Sequence, residues 1–234
     1  MARISRAGVV QGLLSLHVDP RYLEVGVSRG VTFHAVQAAA KVAVDPVFRF
    51  DVEAAASENP NATYHQLTSD EYFGTVAPTG DRFHVIYLDG LHTFEQTLRD
   101  LVNALDRLTP DGTVLIDDVK PSSYSASLPD LADVKALRAA LPREQSPAWM
   151  GDVFRIVGFI ETFFQTLSYR TVADNHGQLI VWRDGRASVP ERRVEEVARL
   201  PFEQTVLDRE TYRLEPFESI LAELEAWRHD STDG

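Results

Sequence analysis

Residues 22–32 read Tyr22-Leu23-Glu24-Val25-Gly26-Val27-Ser28-Arg29-Gly30-Val31-Thr32, an apolar run followed by a glycine turn and helix-type residues. The two glycines allow the backbone to turn tightly and to approach a ligand, and the helix N-terminus offers free N–H groups. In a doubly wound sheet such a turn lies at the switch point where ligands bind. The spacing Glu-x-Gly-x-x-x-Gly differs from the dinucleotide pattern Gly-x-Gly-x-x-Gly. By itself, the stretch is equally compatible with a ligand-binding turn and with a purely structural one.

Short apolar runs alternate with helical segments over most of the chain. The predicted strands are Tyr22–Val25, Val42–Val44, Thr63–Leu67, Phe83–Leu88, Thr113–Ile116, Tyr169–Ala173 and Leu179–Trp182. The predicted helices are Val31–Ala40, Asp51–Glu58, Thr93–Leu108 and Asp152–Leu167. Alternation of this kind predicts a parallel sheet with right-handed crossovers, but the link between the last two strands is too short for a helix. We therefore predict a Rossmann-like, doubly wound α/β fold whose seven-stranded, mostly parallel sheet ends in an antiparallel C-terminal hairpin.

The domain organisation follows from the same pattern. Residues 1–183 form one predicted domain, and residues 184–234 a C-terminal helical extension with an amphipathic pattern over Ser219–Trp227. Residues 120–150 are a long connection with a short helix near Asp133–Ala140, and such connections are usually lids or binding loops. The extension carries large apolar residues that should be buried, either over the active site or in a homo-oligomer: Phe202, Leu207, Phe217, Leu221, Leu224 and Trp227.

Composition excludes several classes of protein. The 234 residues are 44% hydrophobic and 25% charged, which are values of a globular chain. The net charge of −12 argues against nucleic-acid binding, since phosphate contacts need a basic face. The absence of cysteine excludes disulfides, thiolate catalysis and thiolate metal sites. We identify neither a signal peptide nor the roughly 20 apolar residues of a membrane span, and we expect a cytoplasmic protein.

Polar side chains at the ends of the second and third strands fit a nucleoside. Asp45 ends the second strand 19 residues after Gly26 (45 − 26), close to the roughly 20-residue distance of a ribose-binding acid. A helix cap or a loop carboxylate is the alternative. Ser69 and Asp70 follow the third strand, where polar groups suit a purine, although Asp70 equally suits a helix cap.

Three carboxylates follow the fourth and fifth strands. Asp89 and then His92 come just after one strand, and Asp117 and Asp118 just after the next. Because these strands are neighbours, the acids should converge beside the glycine turn, which is unfavourable unless a cation compensates them. Oxygen ligands without thiolates favour a hard ion, with Mg²⁺ first and Mn²⁺ or Ca²⁺ next. The alternatives are acids that cap helices, or Asp89 as a cofactor contact without any metal.

On these residues, the segment from Tyr22 to Trp182 resembles the class I S-adenosylmethionine-dependent methyltransferases. The resemblance implies that Asp45 binds the ribose and that the glycine turn holds the methionine end of the cofactor. The cofactor-binding residues that it implies are Glu24, Gly26, Val27, Ser28, Gly30, Thr32, Asp45, Ser69 and Asp89.

A longer pattern, Leu-Asp-Gly-x-His-x-Phe-x-x-x-x-x-Asp followed by Ile-Asp-Asp, resembles the macrocin O-methyltransferase type. Members of that type methylate sugar hydroxyls on natural products. The resemblance implies Mg²⁺ on Asp89, Asp117 and Asp118, and His92 as the base. A Gly-Asp-Val segment at Asp152 also matches, and Asp152 suits either a substrate contact or an N-cap. The segment before the first strand is short, so the N-terminal substrate elements of that type are reduced here.

These observations predict a metal-dependent O-methyltransferase that acts on a hydroxyl of a small molecule, such as a sugar of a glycosylated natural product. The chemistry requires alignment of the acceptor with the methyl group, a Lewis acid and a base. His34 and His84 are expected to be structural, and the remaining histidines, His17, His65, His176 and His229, give no functional signal. The alternatives are a catechol-type O-methyltransferase, a nucleotide-cofactor oxidoreductase and a non-catalytic scaffold. The sequence names neither the acceptor nor the position that is methylated.

Overall fold

A computed structural model describes residues 3–77, 80–141 and 148–232. Its sheet has eight strands in the order β3-β2-β1-β4-β5-β7-β6-β8. The strands are β1 Arg21–Val25, β2 Ala40–Val44, β3 Ala62–His65, β4 Phe83–Leu88, β5 Leu108–Ile116, β6 Ser168–Val172, β7 Leu179–Trp182 and β8 Leu214–Glu215. Strand β7 runs antiparallel to both of its neighbours, and the other paired strands are parallel. The predicted doubly wound fold with a C-terminal hairpin is confirmed, with one additional strand, the two-residue β8.

Ten α-helices surround the sheet in the described residues. They are α1 Arg6–Leu14, α2 Val31–Ala35, α3 Val52–Glu58, α4 Ser69–Glu71, α5 Phe94–Arg107, α6 Leu131–Ala140, α7 Arg155–Phe163, α8 Val194–Ala198, α9 Gln204–Leu207 and α10 Phe217–Thr232. None of them combines the length and apolar character that a membrane crossing requires.

The two faces of the sheet carry separate cores because side chains alternate along each strand. Leu23 of β1 belongs to a core that includes Leu101 of α5 and Ile156 of α7. Its neighbour Tyr22 belongs to the opposite core, which includes residues of α1 and α10. Because the central strands are buried on both faces, they are continuous apolar runs in the sequence. These runs are the pattern from which the strands were predicted.

All four predicted helices are shorter in the structure, two of them by several residues, and helix α1 was missed. The prediction Val31–Ala40 is wrong at its C-terminal end, because Ala40 pairs with Arg21 in the sheet and pairing overrides the helix propensity of the alanines. Helix α7 starts at Arg155, three residues after its predicted start, following a turn in which Gly151 has φ +62°. It ends at Phe163, before the predicted Leu167. Helix α1 was not predicted at all.

Most of the large apolar residues of the C-terminal extension pack against other parts of the same chain. Phe217, Ile220 and Leu224 of α10 are buried in the core that includes α1, and the Trp227 ring lies 6.5 Å from that of Trp182. Leu207 is 76% exposed, so the expectation of burial is wrong for this residue. A second subunit is not needed to bury α10, and a homo-oligomer stays a prediction.

The connection predicted as a lid begins at the fifth strand and returns to the same end of the sheet. Residues 142–147 of the predicted lid lie outside the described residues. The flanking parts come together, because the backbone N–H groups of Met150 and Gly151 both donate to the carbonyl oxygen of Ala126. Both arms of the connection therefore lie beside the carboxyl ends of the strands.

Candidate active site

A cleft of about 1340 Å³ lies at the carboxyl ends of β1, β2, β4 and β5. It is lined by the glycine turn, by the acidic loop after β4, and by residues on both arms of the 120–150 connection. Single small-molecule sites occupy roughly 300–1,000 Å³. The cleft is therefore large enough for a cofactor and an acceptor side by side.

The glycine turn packs directly against the end of β4. Gly26 has φ +88°, and a Cβ at this position would lie 1.9 Å from the carbonyl oxygen of Asp89. Ser28 and Gly30 also have positive φ angles, so the turn requires three left-handed residues within five positions. Only a residue without a side chain allows this approach at position 26, which brings the turn and the acidic loop into one cleft.

Asp45 is fixed at the floor of the same cleft. One of its carboxylate oxygens accepts a hydrogen bond from the backbone N–H of Ser28 (2.8 Å), and the other accepts from Val47 (2.7 Å). Each oxygen keeps a second lone pair for a ligand. Asp45 thus ties the end of β2 to the glycine turn and presents acceptors to vicinal hydroxyls.

The residues predicted to bind the cofactor fall into two groups. Five of them line the cleft: Gly26, Ser28, Asp45, Ser69 and Asp89. The other four, Glu24, Val27, Gly30 and Thr32, do not. Val27 is buried in the core with α1, and Gly30 packs against the ring of His34. These positions shape the turn rather than face the ligand space.

Glu24 lies below the turn and is 2% exposed. It accepts a hydrogen bond of 2.6 Å from the hydroxyl of Tyr22. Burial raises the pKa of Glu24 from 4.5 to about 8, because the charged form loses its hydration. Glu24 is thus a buried acid that is largely protonated at neutral pH.

Replacement of Glu24 by Gln should change how stability depends on pH. Between pH 4.5 and 8 the folded protein binds more protons at Glu24 than the unfolded chain, so the free energy of unfolding falls as pH rises. The fall should be about 1.4 kcal/mol per pH unit relative to Glu24→Gln. Urea unfolding of both proteins from pH 5 to 8 measures the difference, with Glu218→Gln controlling for loss of a surface carboxylate. A difference that does not vary with pH would contradict this account.

Two of the three predicted metal ligands, Asp89 and Asp118, line the acidic end of the cleft, whereas the third, Asp117, is buried and does not line it. Asp89 Oδ1 lies 3.4 Å from His92 Nε2, and Asp118 Oδ2 lies 3.2 Å from His92 Nδ1. Asp117 instead contacts His176 Nε2 with Oδ1 (2.6 Å) and Arg6 Nε with Oδ2 (2.7 Å). Asp89, His92 and Asp118 offer ligand atoms within 4.8 Å of one another, as do Asp117, Asp118 and His176. The predicted trio is thus divided into two overlapping groups that share Asp118.

The charged groups of this region shift the pKa values of one another. Burial and the neighbouring carboxylates Asp117 and Asp89 raise the pKa of Asp118. Burial acts in the same direction on Asp117, but the hydrogen bond to His176 and the charge of Arg6 outweigh it and lower the pKa of Asp117. Burial alone would lower the pKa of His92, yet Asp89 and Asp118 raise it to about 9. His92 therefore carries a proton at neutral pH unless another cation compensates these acids.

The far arm of the 120–150 connection holds the His92 loop in place. His92 Nδ1 lies 2.8 Å from the carbonyl oxygen of Trp149, which accepts a hydrogen bond when Nδ1 carries the proton. Gly151 has φ +62°, and a Cβ there would lie 1.6 Å from the carbonyl oxygen of His92. Nδ1 is thus the ring nitrogen held by this arm, whereas Nε2 lies 3.4 Å from Asp89 Oδ1.

Asp152 does not face the cleft. It is buried, accepts a hydrogen bond of 2.8 Å from the backbone N–H of Phe94, and pairs with Arg155. Of the two roles considered for Asp152, capping is the one present, although the helix that it caps is α5 rather than its own. Asp152 therefore anchors the helix that follows the His92 loop.

Two site residues were missed by the sequence analysis. Arg6 begins α1 and reaches Asp117 and Asp118, and His176 lies in the hairpin between β6 and β7. The sequence gives no functional signal for His176, but the structure places it in the cleft beside Asp117. The helical spacing of Val9, Val10, Leu13 and Leu14 was the available signal for α1.

Comparison with known proteins places this site in context. Residues 23–119, from β1 to the end of the second acidic loop, match a family described as a methyltransferase domain. This match supports the prediction of a methyltransferase domain. No curated protein sequence matches the chain.

Solved structures share the fold at low sequence identity. The O-methyltransferase TomG from Streptomyces achromogenes, involved in tomaymycin synthesis and solved in complex with SAM, is 16% identical, with a TM-score of 0.52 over 79% of this chain and 82% of TomG. The MycE methyltransferase of the mycinamycin pathway, in complex with Mg, SAH and mycinamycin VI, is 14% identical, with a TM-score of 0.46 over 74% of this chain and 48% of MycE. At these identities the likeness to TomG shows a shared fold. The likeness to MycE has a lower TM-score and adds nothing further.

Proposed function

We propose that this protein is a metal-dependent O-methyltransferase that transfers a methyl group from S-adenosylmethionine to a hydroxyl of a small molecule. The observation that carries the proposal is one cleft that joins Asp45 and the glycine turn to the cluster of Asp89, His92 and Asp118. A ribose-binding acid at one end and a cation-binding cluster at the other match the needs of methyl transfer to oxygen. The methyltransferase-domain match over residues 23–119 supports the same reaction class.

The cofactor half of the cleft fits S-adenosylmethionine. Asp45 offers two fixed acceptors for the ribose hydroxyls, and the Gly26 turn leaves its backbone open toward the ligand space. Ser69 and the polar residues around it suit the purine. When bound, the cofactor supplies a methyl group on a sulfonium that is already a good leaving group.

Replacement of Asp45 by Asn should weaken cofactor binding. The amide cannot accept hydrogen bonds at both of its atoms, so one contact to a ribose hydroxyl or to the turn is lost. We expect a loss of about 1–3 kcal/mol, or roughly 5- to 150-fold in dissociation constant. Calorimetry with S-adenosylhomocysteine measures this loss. Asp51→Asn, which alters the cap of α3 outside the cleft, is the matched control. An unchanged dissociation constant in folded Asp45→Asn would remove Asp45 from the cofactor site.

The acidic end of the cleft fits a hard divalent cation. Asp89 and Asp118 each place a carboxylate oxygen beside the His92 ring, and carboxylate oxygens are the ligands that such an ion prefers. We retain Asp89, Asp117 and Asp118 as the proposed ligands of Mg²⁺, with the condition that Asp117 first loses its contacts to Arg6 and His176. When bound, such an ion supplies Lewis-acid chemistry at the acceptor oxygen.

The chain itself contributes orientation and a proton acceptor. Alignment of the acceptor hydroxyl with the methyl group can supply on the order of 7–11 kcal/mol of the barrier. His92 Nε2 is the proposed base. Asp89 and Asp118 raise the pKa of His92 to about 9, so the ring would be unprotonated and able to act as a base near neutral pH only if a bound cation offset the charges of these two acids. The carbonyl oxygen of Trp149 holds the ring in the orientation that directs Nε2 away from the lid.

The acceptor half of the cleft combines polar groups with an aromatic ring. Lys120, Ser122, Asn175 and Trp149 all line it. Hydrogen-bonding groups beside an indole suit a polyhydroxylated acceptor, so a sugar of a glycosylated natural product is our first candidate. A catechol-type acceptor is the second, because a divalent ion on this cluster can bind vicinal oxygens. An oxidoreductase is disfavoured by the Glu-x-Gly-x-x-x-Gly spacing.

A screen with methyl-labelled S-adenosylmethionine tests the proposed reaction. Purified protein with Mg²⁺ is incubated with glycosylated macrolides, free sugars, catechols and the corresponding amines. Label transferred to a hydroxyl of a sugar supports the first candidate, and label on a catechol supports the second. Transfer to the amines alone would replace the O-methyltransferase assignment by N-methyl transfer.

A further inference from the structure

The carboxylates proposed to bind a metal already have a cation of the same chain among them. Arg6 Nε lies 2.7 Å from Asp117 Oδ2, and Arg6 Nη2 lies 3.6 Å from Asp118 Oδ1. His176 Nε2 takes the other oxygen of Asp117 at 2.6 Å and lies 2.9 Å from Arg6 Nε. Each oxygen of Asp117 therefore lies close to a side-chain nitrogen, and the contact of Oδ2 with Arg6 is an ion pair without a hydrogen bond.

From this arrangement we propose that Arg6 and a divalent cation compete for Asp117 and Asp118, so that α1 supplies a built-in counter-cation which a metal must displace. The proposal rests on the proposed function, since it concerns the same metal site. It assigns to the N-terminal helix a role in setting metal affinity.

Electrostatic repulsion should prevent Arg6 and a divalent cation from binding these carboxylates at the same time. The side chains of Asp117 and Asp118 are only 1% and 5% exposed, so their charges need a compensating cation at close range. A guanidinium meets this need in the absence of a metal. When a divalent ion binds the same oxygens, Arg6 becomes a like charge within a few ångströms, where repulsion is strong.

Arg6, and not Asp117, is the group that can move when a cation binds. Asp117 follows a central strand, and its backbone N–H donates to the carbonyl oxygen of Leu88, so its position is fixed. Arg6 is the first residue of α1, and its side chain is 43% exposed. The guanidinium can therefore turn into solvent without disturbing the core, while the carboxylates stay in place.

Calorimetric titration of Mn²⁺ into EDTA-stripped protein tests the competition. Arg6→Met removes the competing charge, and we expect Mn²⁺ affinity to rise about tenfold or more. Arg6→Gln also removes the charge but keeps a polar side chain, and it should show the same rise if Arg6→Met does not fold. Arg6→Lys keeps the charge and should stay within about threefold of the wild type. Arg21→Met is the matched control, because Arg21 is also a half-exposed arginine (39%) in an ion pair, with Asp81.

The outcomes separate this inference from the proposed function. Equal or weaker Mn²⁺ binding by folded Arg6→Met and Arg6→Gln, with clear binding by the wild type, overturns the competition and leaves the metal site intact. No Mn²⁺ binding by any variant overturns both the competition and the metal site. S-adenosylhomocysteine binding, measured on the same samples, then shows whether the cofactor assignment survives.

Discussion

Chelation of divalent cations with EDTA should abolish methyl transfer, and added Mg²⁺ or Mn²⁺ should restore it. Asp117 and Asp118 are buried and Asp89 is half-buried beside them, and the acceptor hydroxyl is a poor nucleophile without a Lewis acid beside it. Asp118→Asn should reproduce the chelated protein, since an amide keeps the shape of the side chain but lacks the charge that a hard cation requires.

Loss of the cation should lower turnover without weakening cofactor binding. Cofactor contacts lie on the glycine turn and on Asp45, so S-adenosylhomocysteine binding should persist in EDTA and in Asp118→Asn. Asp133→Asn, an exposed acid in the first turn of α6, is the matched control for loss of one negative charge. Full activity in excess EDTA would eliminate the metal and leave Asp89 as a cofactor contact.

Removal of the His92 imidazole should lower the rate of methyl transfer by roughly 10²–10⁴-fold, the usual contribution of general-base catalysis. Nδ1 contacts the carbonyl oxygen of Trp149, so Nε2 is the proposed base, and the side chain lines the cleft beside Asp89 and Asp118. In His92→Ala the deficit should narrow as pH rises, because the acceptor hydroxyl then ionises without a base. Single-turnover rates from pH 6.5 to 9.5 measure both effects.

His229→Ala is the control for this experiment, since His229 is an exposed histidine near the end of α10. A normal rate for His92→Ala near neutral pH would assign the base to another residue. His176 would then be the first to test, because it lines the same cleft, whereas Asp152 is buried against Phe94 and Arg155.

Much of the fold could be predicted from the sequence, because each buried strand has its own apolar pattern. Strands β4 and β7 were predicted with their observed limits, Phe83–Leu88 and Leu179–Trp182, since burial on both faces leaves an unbroken apolar run. The convergence of Asp89 and Asp118 was predictable for a similar reason. Both acids follow parallel neighbouring strands, whose carboxyl ends meet at one edge of the sheet.

The remainder of the site depends on contacts between distant residues. Arg6 and His176 are 170 positions apart, His176 and Asp117 are 59 apart, and Asp152 and Phe94 are 58 apart. Such pairs leave no period in the sequence, because their meeting depends on how α1, the hairpin and the lid connection pack onto the sheet. The orientation of Asp117 toward Arg6, and away from Asp89, is a consequence of that packing.

The cleft beside the glycine turn is proposed to bind S-adenosylmethionine. Calorimetric titration of the full chain with S-adenosylhomocysteine, in parallel with NAD⁺, tests this assignment. We expect saturable binding of one S-adenosylhomocysteine per chain and no saturable heat with NAD⁺. Saturable binding of NAD⁺, with none of S-adenosylhomocysteine, would contradict this assignment and favour an oxidoreductase on the same sheet.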